Sequence, residues 1–162
     1  MPESKYFLET DASVRPGERH RSGTRHSVSG AGVVLWDPNL RMVLAESIPL
    51  GQVSCGPEAE LWAVLIGLRL AKAQKVDRVR LRSDCLAVVQ HLAGVKVLET
   101  QWAARYKQEI RELLRSFTFF EARWTPSSHA VERRTGVPTA DFLARRAVGL
   151  GPRRPRRKPP LG

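Results

Sequence analysis

The order in which apolar segments follow one another constrains this chain's fold more than any other feature. Three strand-like runs come first: residues 5–12, then Gly32–Trp36 and Met42–Ala45 around the turn signal Asp37-Pro38-Asn39. Short apolar runs separated by Pro, Asn and Asp pair as an antiparallel meander. The period then changes. Pro57 opens a segment over 58–74 with apolar residues at helical spacing, and its first turn carries Glu58 and Glu60, as the helix dipole favours. Residues 77–83 alternate Val79 and Leu81 with arginine, as a short strand does. A short helix over 84–94, a longer one over 100–116 and a strand over 117–124 come next, and Thr139 caps a final helix. The order β-β-β-α-β-α-α-β-α predicts an α/β fold, a mixed sheet with helices on both faces.

Two stretches lack any such period. Residues 14–29 hold Gly, Ser, Pro, two His and four Arg, and they predict a loop. From Gly149 onward the chain is rich in Pro and Arg. The expected division is a domain over 1–148 and a basic disordered tail over 149–162.

The balance of 27 Lys plus Arg against 16 Asp plus Glu, a net charge of +11, favours a polyanionic partner, nucleic acid first. Cys55 and Cys85 stand alone, outside any CxxC spacing, which argues against a disulfide framework and a structural zinc site. No apolar run approaches the ~20 residues of a membrane span. The expectation is a soluble, cytoplasmic, monomeric protein with no membrane partner.

Against this basic background four acids stand where a core does not need them. Asp11 ends the first strand and Asp84 the fourth, and sites in open α/β sheets gather at carboxyl ends of strands. Glu60 is the one charge on a helix stripe of Glu60, Ala63, Val64, Gly67, Leu68 and Ala71, the face that packs on the sheet. Asp141 starts the final helix. Clustered carboxylates repel one another, and a bound cation resolves the repulsion. Oxygen-only ligands in a polyanion-binding chain suggest Mg²⁺ or Mn²⁺, and a pair of such ions can clamp an in-line phosphoryl displacement.

The motifs around these acids are DAS at 11–13, AELWAVLIGL at 59–68, SDCLAVVQHL at 83–92, and RWTPSSH with TADFLARRA across 123–147. In that order they resemble the type 1 ribonuclease H family over roughly residues 5–148. The resemblance implies a three-layer ribonuclease H-like fold on a five-stranded mixed sheet in the order 3-2-1-4-5. It implies an endonuclease that hydrolyses the RNA strand of RNA/DNA hybrids with two metal ions, Mg²⁺ or Mn²⁺ in its place, leaving 3′-hydroxyl and 5′-phosphate ends. Carried over by motif, Asp11 bridges both ions, Glu60 and Asp84 join it on the ion at the leaving group, and Asp141 holds the ion that activates water. His129 matches the histidine that assists proton transfer or product departure, and Gln90 a residue that touches bases in the minor groove. Ser13 and Arg15, just past Asp11, and Trp102 complete the expected substrate contacts. Where the family has an asparagine pair before the helix glutamate, this chain has Gly56-Pro57. The alternatives are a nuclease of the same fold acting on double-stranded RNA or DNA junctions, and a non-catalytic nucleic-acid-binding protein. Trp36, Trp62 and Trp124 are read as core, and Glu58 as lying on a different helix face from Glu60.

Overall fold

A computed structural model describes residues 4–19, 25–126 and 139–151. The elements are β1 (Tyr6–Arg19), β2 (Arg25–Trp36), β3 (Met42–Val53), α1 (Gly56–Ala73), β4 (Arg78–Ser83), α2 (Leu86–Leu92), α3 (Gln101–Ser116), β5 (Phe119–Trp124) and α4 (Ala140–Ala147). The five strands form one sheet in the order β3-β2-β1-β4-β5, with β1, β2 and β3 antiparallel and β4 and β5 parallel to β1. The expected topology is therefore met. Among the described residues no helix is long and apolar enough to cross a membrane.

Strand alternation sorts the two faces. Leu8, Val33, Leu35, Val79 and Leu81 are fully buried in the main core with Leu61, Val64 and Leu68 of α1 and Tyr106 and Ile110 of α3. Val34, one residue out of phase with Val33, packs instead on Ala140 and Leu143 of α4 in a smaller core on the other face. Both helices sit close to the sheet because glycine lets them. A β-carbon on Gly67 would lie 2.6 Å from Thr10 Cγ2. One on Gly32 would lie 1.9 Å from the Ala140 carbonyl oxygen, so α4 rests its first turn on bare backbone.

The expected loop over 14–29 is largely strand. β1 and β2 remain paired through Pro16↔Ser27 and close at Arg19↔Arg25, with the register shifting between Pro16 and Arg19. Apolar alternation reports burial, whereas ladder hydrogen bonds come from main chain and need no particular side chain. Proline, which cannot donate to the ladder, sits beside the irregularity, where strands tolerate it. β3 likewise runs on to Val53, paired with Ser27. Trp124 also departs from expectation. It is the last residue of the outer strand β5 and is 50 % exposed, with its indole Nε1 reaching back to the Asp84 carbonyl.

Candidate metal centre

Parallel pairing fixes where two of the acids fall. Tyr6 pairs with Val79, and the pairs continue in step to Glu9 with Arg82. Two residues further along each chain stand Asp11 and Asp84, level with each other where β4 ends. Asp11 itself pairs across to Gly32, whose missing side chain faces α4, so Asp11 lies on the α4 face of β1. Asp84 is not the α2 cap. Cys85 takes that position, and Ser83 Oγ accepts its N–H at 3.2 Å. The Asp84 carbonyl is held from the neighbouring strand, accepting from Trp124 Nε1 at 3.0 Å. Glu60 reaches the same point from the second turn of α1.

One carboxylate oxygen from each of Asp11, Glu60 and Asp84 lies within 4.8 Å of the others. Asp11 is 7 % exposed, and Glu60 and Asp84 are half-buried. Burial and the nearby Asp84 charge push Asp11 up to about 7, with the charge of Asp141 adding to the rise. Glu60 is pushed further, to about 11, by burial and by the adjoining Asp11 carboxyl, with which it shares a hydrogen bond. Glu60 Oε2 is buried with no hydrogen-bond partner among the described residues. Three hard oxygen donors that repel one another, one of them unsatisfied, form a donor set suited to Mg²⁺ or Mn²⁺. Asp141, 4 % exposed in the first turn of α4, is outside that trio, close enough for its charge to act on Asp11. Thr139 caps its helix, its Oγ1 accepting from Phe142 N at 3.2 Å.

The other expected site residues are placed less tightly. Ser13 is buried and Arg15 exposed, on the same side of β1 as Asp11. A β-carbon on Gly149 would lie 3.6 Å from the Arg15 Nη1. Gln90 is half-buried on α2, its carbonyl accepting from Val95 N at 3.0 Å. Trp102 is half-buried against the main core. His129 and the sequence from 152 onward lie outside the described residues.

One residue that matters here escaped the sequence reading. Glu58 is 2 % exposed, a buried carboxylate two residues before Glu60. Its Oε1 accepts from Ser54 N and its Oε2 from the Tyr106 hydroxyl, both at 2.8 Å. The first bond ties the helix start to the loop before it, and the second ties it to α3. The available signal was a glutamate three residues after the helix N-cap, the place from which a side chain turns back to a free N–H.

Residues 21–147 match the model of a family described as reverse transcriptase-like. Among solved structures, ribonuclease H1 from the halophilic archaeon Halobacterium salinarum is 24% identical, with a TM-score of 0.73 over 90% of this chain and 98% of that one. The N-terminal ribonuclease H domain of a Mycobacterium tuberculosis protein is 19% identical, with a TM-score of 0.73 over 91% and 95%. LC11 ribonuclease H1, isolated from compost and solved in complex with an RNA/DNA hybrid, is 21% identical, with a TM-score of 0.69 over 90% and 97%. A comparison with curated proteins gave no match.

Proposed function

The chain belongs to the reverse transcriptase-like family and has the ribonuclease H fold, and on that premise we propose that it is a metal-dependent endonuclease that hydrolyses the RNA strand of RNA/DNA hybrids. The observation that carries the reading is the trio of Asp11, Glu60 and Asp84, brought within 4.8 Å at the strand ends, with Glu60 Oε2 unsatisfied. A protein that only binds nucleic acid gains nothing from carboxylates that repel phosphate. The hybrid-bound LC11 structure shares the fold and supports the choice of substrate.

In this reading Asp11, Glu60 and Asp84 would hold a divalent ion that stabilises the leaving group, and Asp11 with Asp141 would hold a second that activates the attacking water. When bound, such ions supply the charge that activates water and stabilises the departing oxygen of a phosphodiester. The protein's part is to hold the ligands in place. Asp11 is fixed by the sheet register, Asp84 by the Trp124 indole, and Glu60 by the Glu58 anchor. In-line attack by water then leaves 3′-hydroxyl and 5′-phosphate ends. His129 assists proton transfer or product departure. Ser13, Arg15, Gln90 and Trp102 contact substrate, which is recognised by phosphate charge, strand shape and 2′-hydroxyl rather than by a base code.

The test uses end-labelled RNA/DNA hybrid, single-stranded RNA, double-stranded RNA and duplex DNA, each with Mg²⁺, Mn²⁺ or EDTA, beside Asp11→Asn. The expected result is metal-dependent cutting of the hybrid's RNA strand alone, lost in the variant. Salt-sensitive binding with no cutting in either metal overturns the reading, and so does cutting confined to another duplex.

A further inference from the structure

A groove runs between the end of α2 and the later turns of α3, away from the carboxylates. Its cavity of about 480 Å³ is lined by His91, Leu92, Val97, Ile110 and Leu114 together with Lys107, Arg111 and Arg115. Both helices leave the metal centre behind before they reach it. α2 starts beside Asp84, and His91 lies roughly 10 Å along it at 1.5 Å per residue. α3 meets the start of α1 through Tyr106 and Glu58, and its far end meets the last turn of α1, where Lys72 Nζ donates to the Ser116 carbonyl at 2.8 Å. The connection between the helices is pinned in place, with Leu98 N donating to His91 Nδ1 at 2.9 Å. It holds Val97 at the groove mouth with 54 % of its surface exposed.

Two properties of this groove point to one kind of occupant. Lys107, Arg111 and Arg115 recur every fourth residue, so they form a single exposed stripe along α3. Among the described residues none of the three is ion-paired, whereas Arg69, Arg80 and Arg123 all have carboxylate partners. No carboxylate lines the groove. Its apolar lining is aliphatic: Leu92, Ile110 and Leu114, with Val97 at the mouth. Single-stranded nucleic acid is held by aromatic platforms on which bases stack, and this lining has none. The Arg153–Lys158 run of the same chain and a second copy at +11 both carry the wrong charge.

We propose that this groove docks an acidic amphipathic helical segment of a partner protein, its apolar side chains on Leu92, Val97, Ile110 and Leu114 and its carboxylates on Lys107, Arg111 and Arg115. An amphipathic helix lying in a hydrophobic groove is a recurrent recognition mode, and the cation stripe sets the sign of its polar face. Docking there leaves the carboxylate centre open, so the partner can stay bound during turnover.

The test is selection from a library of 16-residue peptides with apolar residues at i, i+3, i+4 and i+7 spacing and Asp, Glu or Ser elsewhere. A matched library carries Lys and Arg in place of the acids. Both are presented to the full chain, to Arg111→Glu/Arg115→Glu, and to Leu114→Ala. The expected result is enrichment from the acidic library alone, with binding weakened about tenfold or more by the double charge reversal. Leu114→Ala weakens it as well, and hybrid cleavage is unchanged in the charge-reversed variant. The exposed arginines can be reversed without touching the core, so the charge arm does not depend on Leu114→Ala folding. Equal retention of both libraries, or equal binding to the charge-reversed variant, overturns the proposal. Complete competition by a 20-nucleotide single-stranded DNA that itself loses affinity for the same variants also overturns it, in favour of nucleic acid.

Discussion

Replacing Tyr106 by Phe removes one oxygen from the protein and leaves a charge without its partner. The hydroxyl donates to Glu58 Oε2 at 2.8 Å, with both residues buried at 5 % and 2 % exposure. Ser54 N still serves Oε1. The cost is that of a hydrogen bond to a charged group, about 1.5–3 kcal/mol. For a domain of this size, that corresponds to a fall in Tm of roughly 3–12 °C, at about 2–4 °C per kcal/mol. Glu58→Gln isolates the charge. An amide at that position lacks the full charge that makes the deficit costly, so Tyr106→Phe is milder in its presence. Urea unfolding of wild type, both single variants and the double variant closes the cycle, with an expected coupling of about 1 kcal/mol or more. A neighbouring polar cavity of about 510 Å³, lined by Glu58, Ser54 and Arg105, gives the opposite outcome a route. If water from it can serve Oε2, Tyr106→Phe unfolds within about 0.5 kcal/mol of wild type. That result would refute the view that the Glu58–Tyr106 contact anchors the start of α1.

Two further outcomes follow from the metal centre and the sheet. Asp11 holds its proton up to about 7 when folded, against an ordinary value of 3.8. Its contribution to metal-free stability is therefore fully present at low pH and is lost as pH rises from about 4 to 7, with Glu60 extending the decline towards about 11. In EDTA, wild type should lose stability relative to Asp11→Asn as pH is raised from 5 to 7.5, and adding Mg²⁺ or Mn²⁺ should reverse the loss. A difference in Tm that does not change with pH contradicts this. Gly32→Ala places a β-carbon 1.9 Å from the Ala140 carbonyl oxygen, which is backbone and cannot turn aside. It should cost at least ~1–3 kcal/mol in urea, whereas Gly56→Ala, with nothing within 4 Å, should be near neutral.

The topology was legible because burial writes itself into side-chain order. Val79 and Leu81 alternate with arginine in β4 and are buried in that phase, and Glu60 interrupts an otherwise apolar stripe. What stayed hidden is structure made by main chain or by distant partners. The β1–β2 ribbon past Ser13 is paired by backbone, and its arginines and Pro16 read as loop. Trp124 reads as core by composition, but it ends an edge strand half exposed, its indole held on the Asp84 carbonyl. Glu58 reads as a solvated helix-start acid because its partner, Tyr106, is 48 residues away. Asp84 and Asp11 could be proposed as neighbours from sequence, but only the register puts them level.

That register makes the metal centre a matter of parity. β1 and β4 run in step from Tyr6 and Val79, and Asp11 and Asp84 each follow the last matched pair by two residues. One residue inserted between Glu9 and Asp11 would move the carboxylate to the position Ala12 now holds, on the α1 face that Thr10 presents to Gly67. Two inserted residues would keep the face but carry the carboxylate past Asp84 by ~6–7 Å. Neither can be absorbed, because the strand is gripped by helices on both faces. Beyond the Pro16–Ser27 pair, where β2 parts from β3, the ribbon has no such count to keep. The hairpin can be lengthened or shortened in pairs while Asp11 stays level with Asp84, so variation in reach towards a bound duplex is separable from the chemistry at its base.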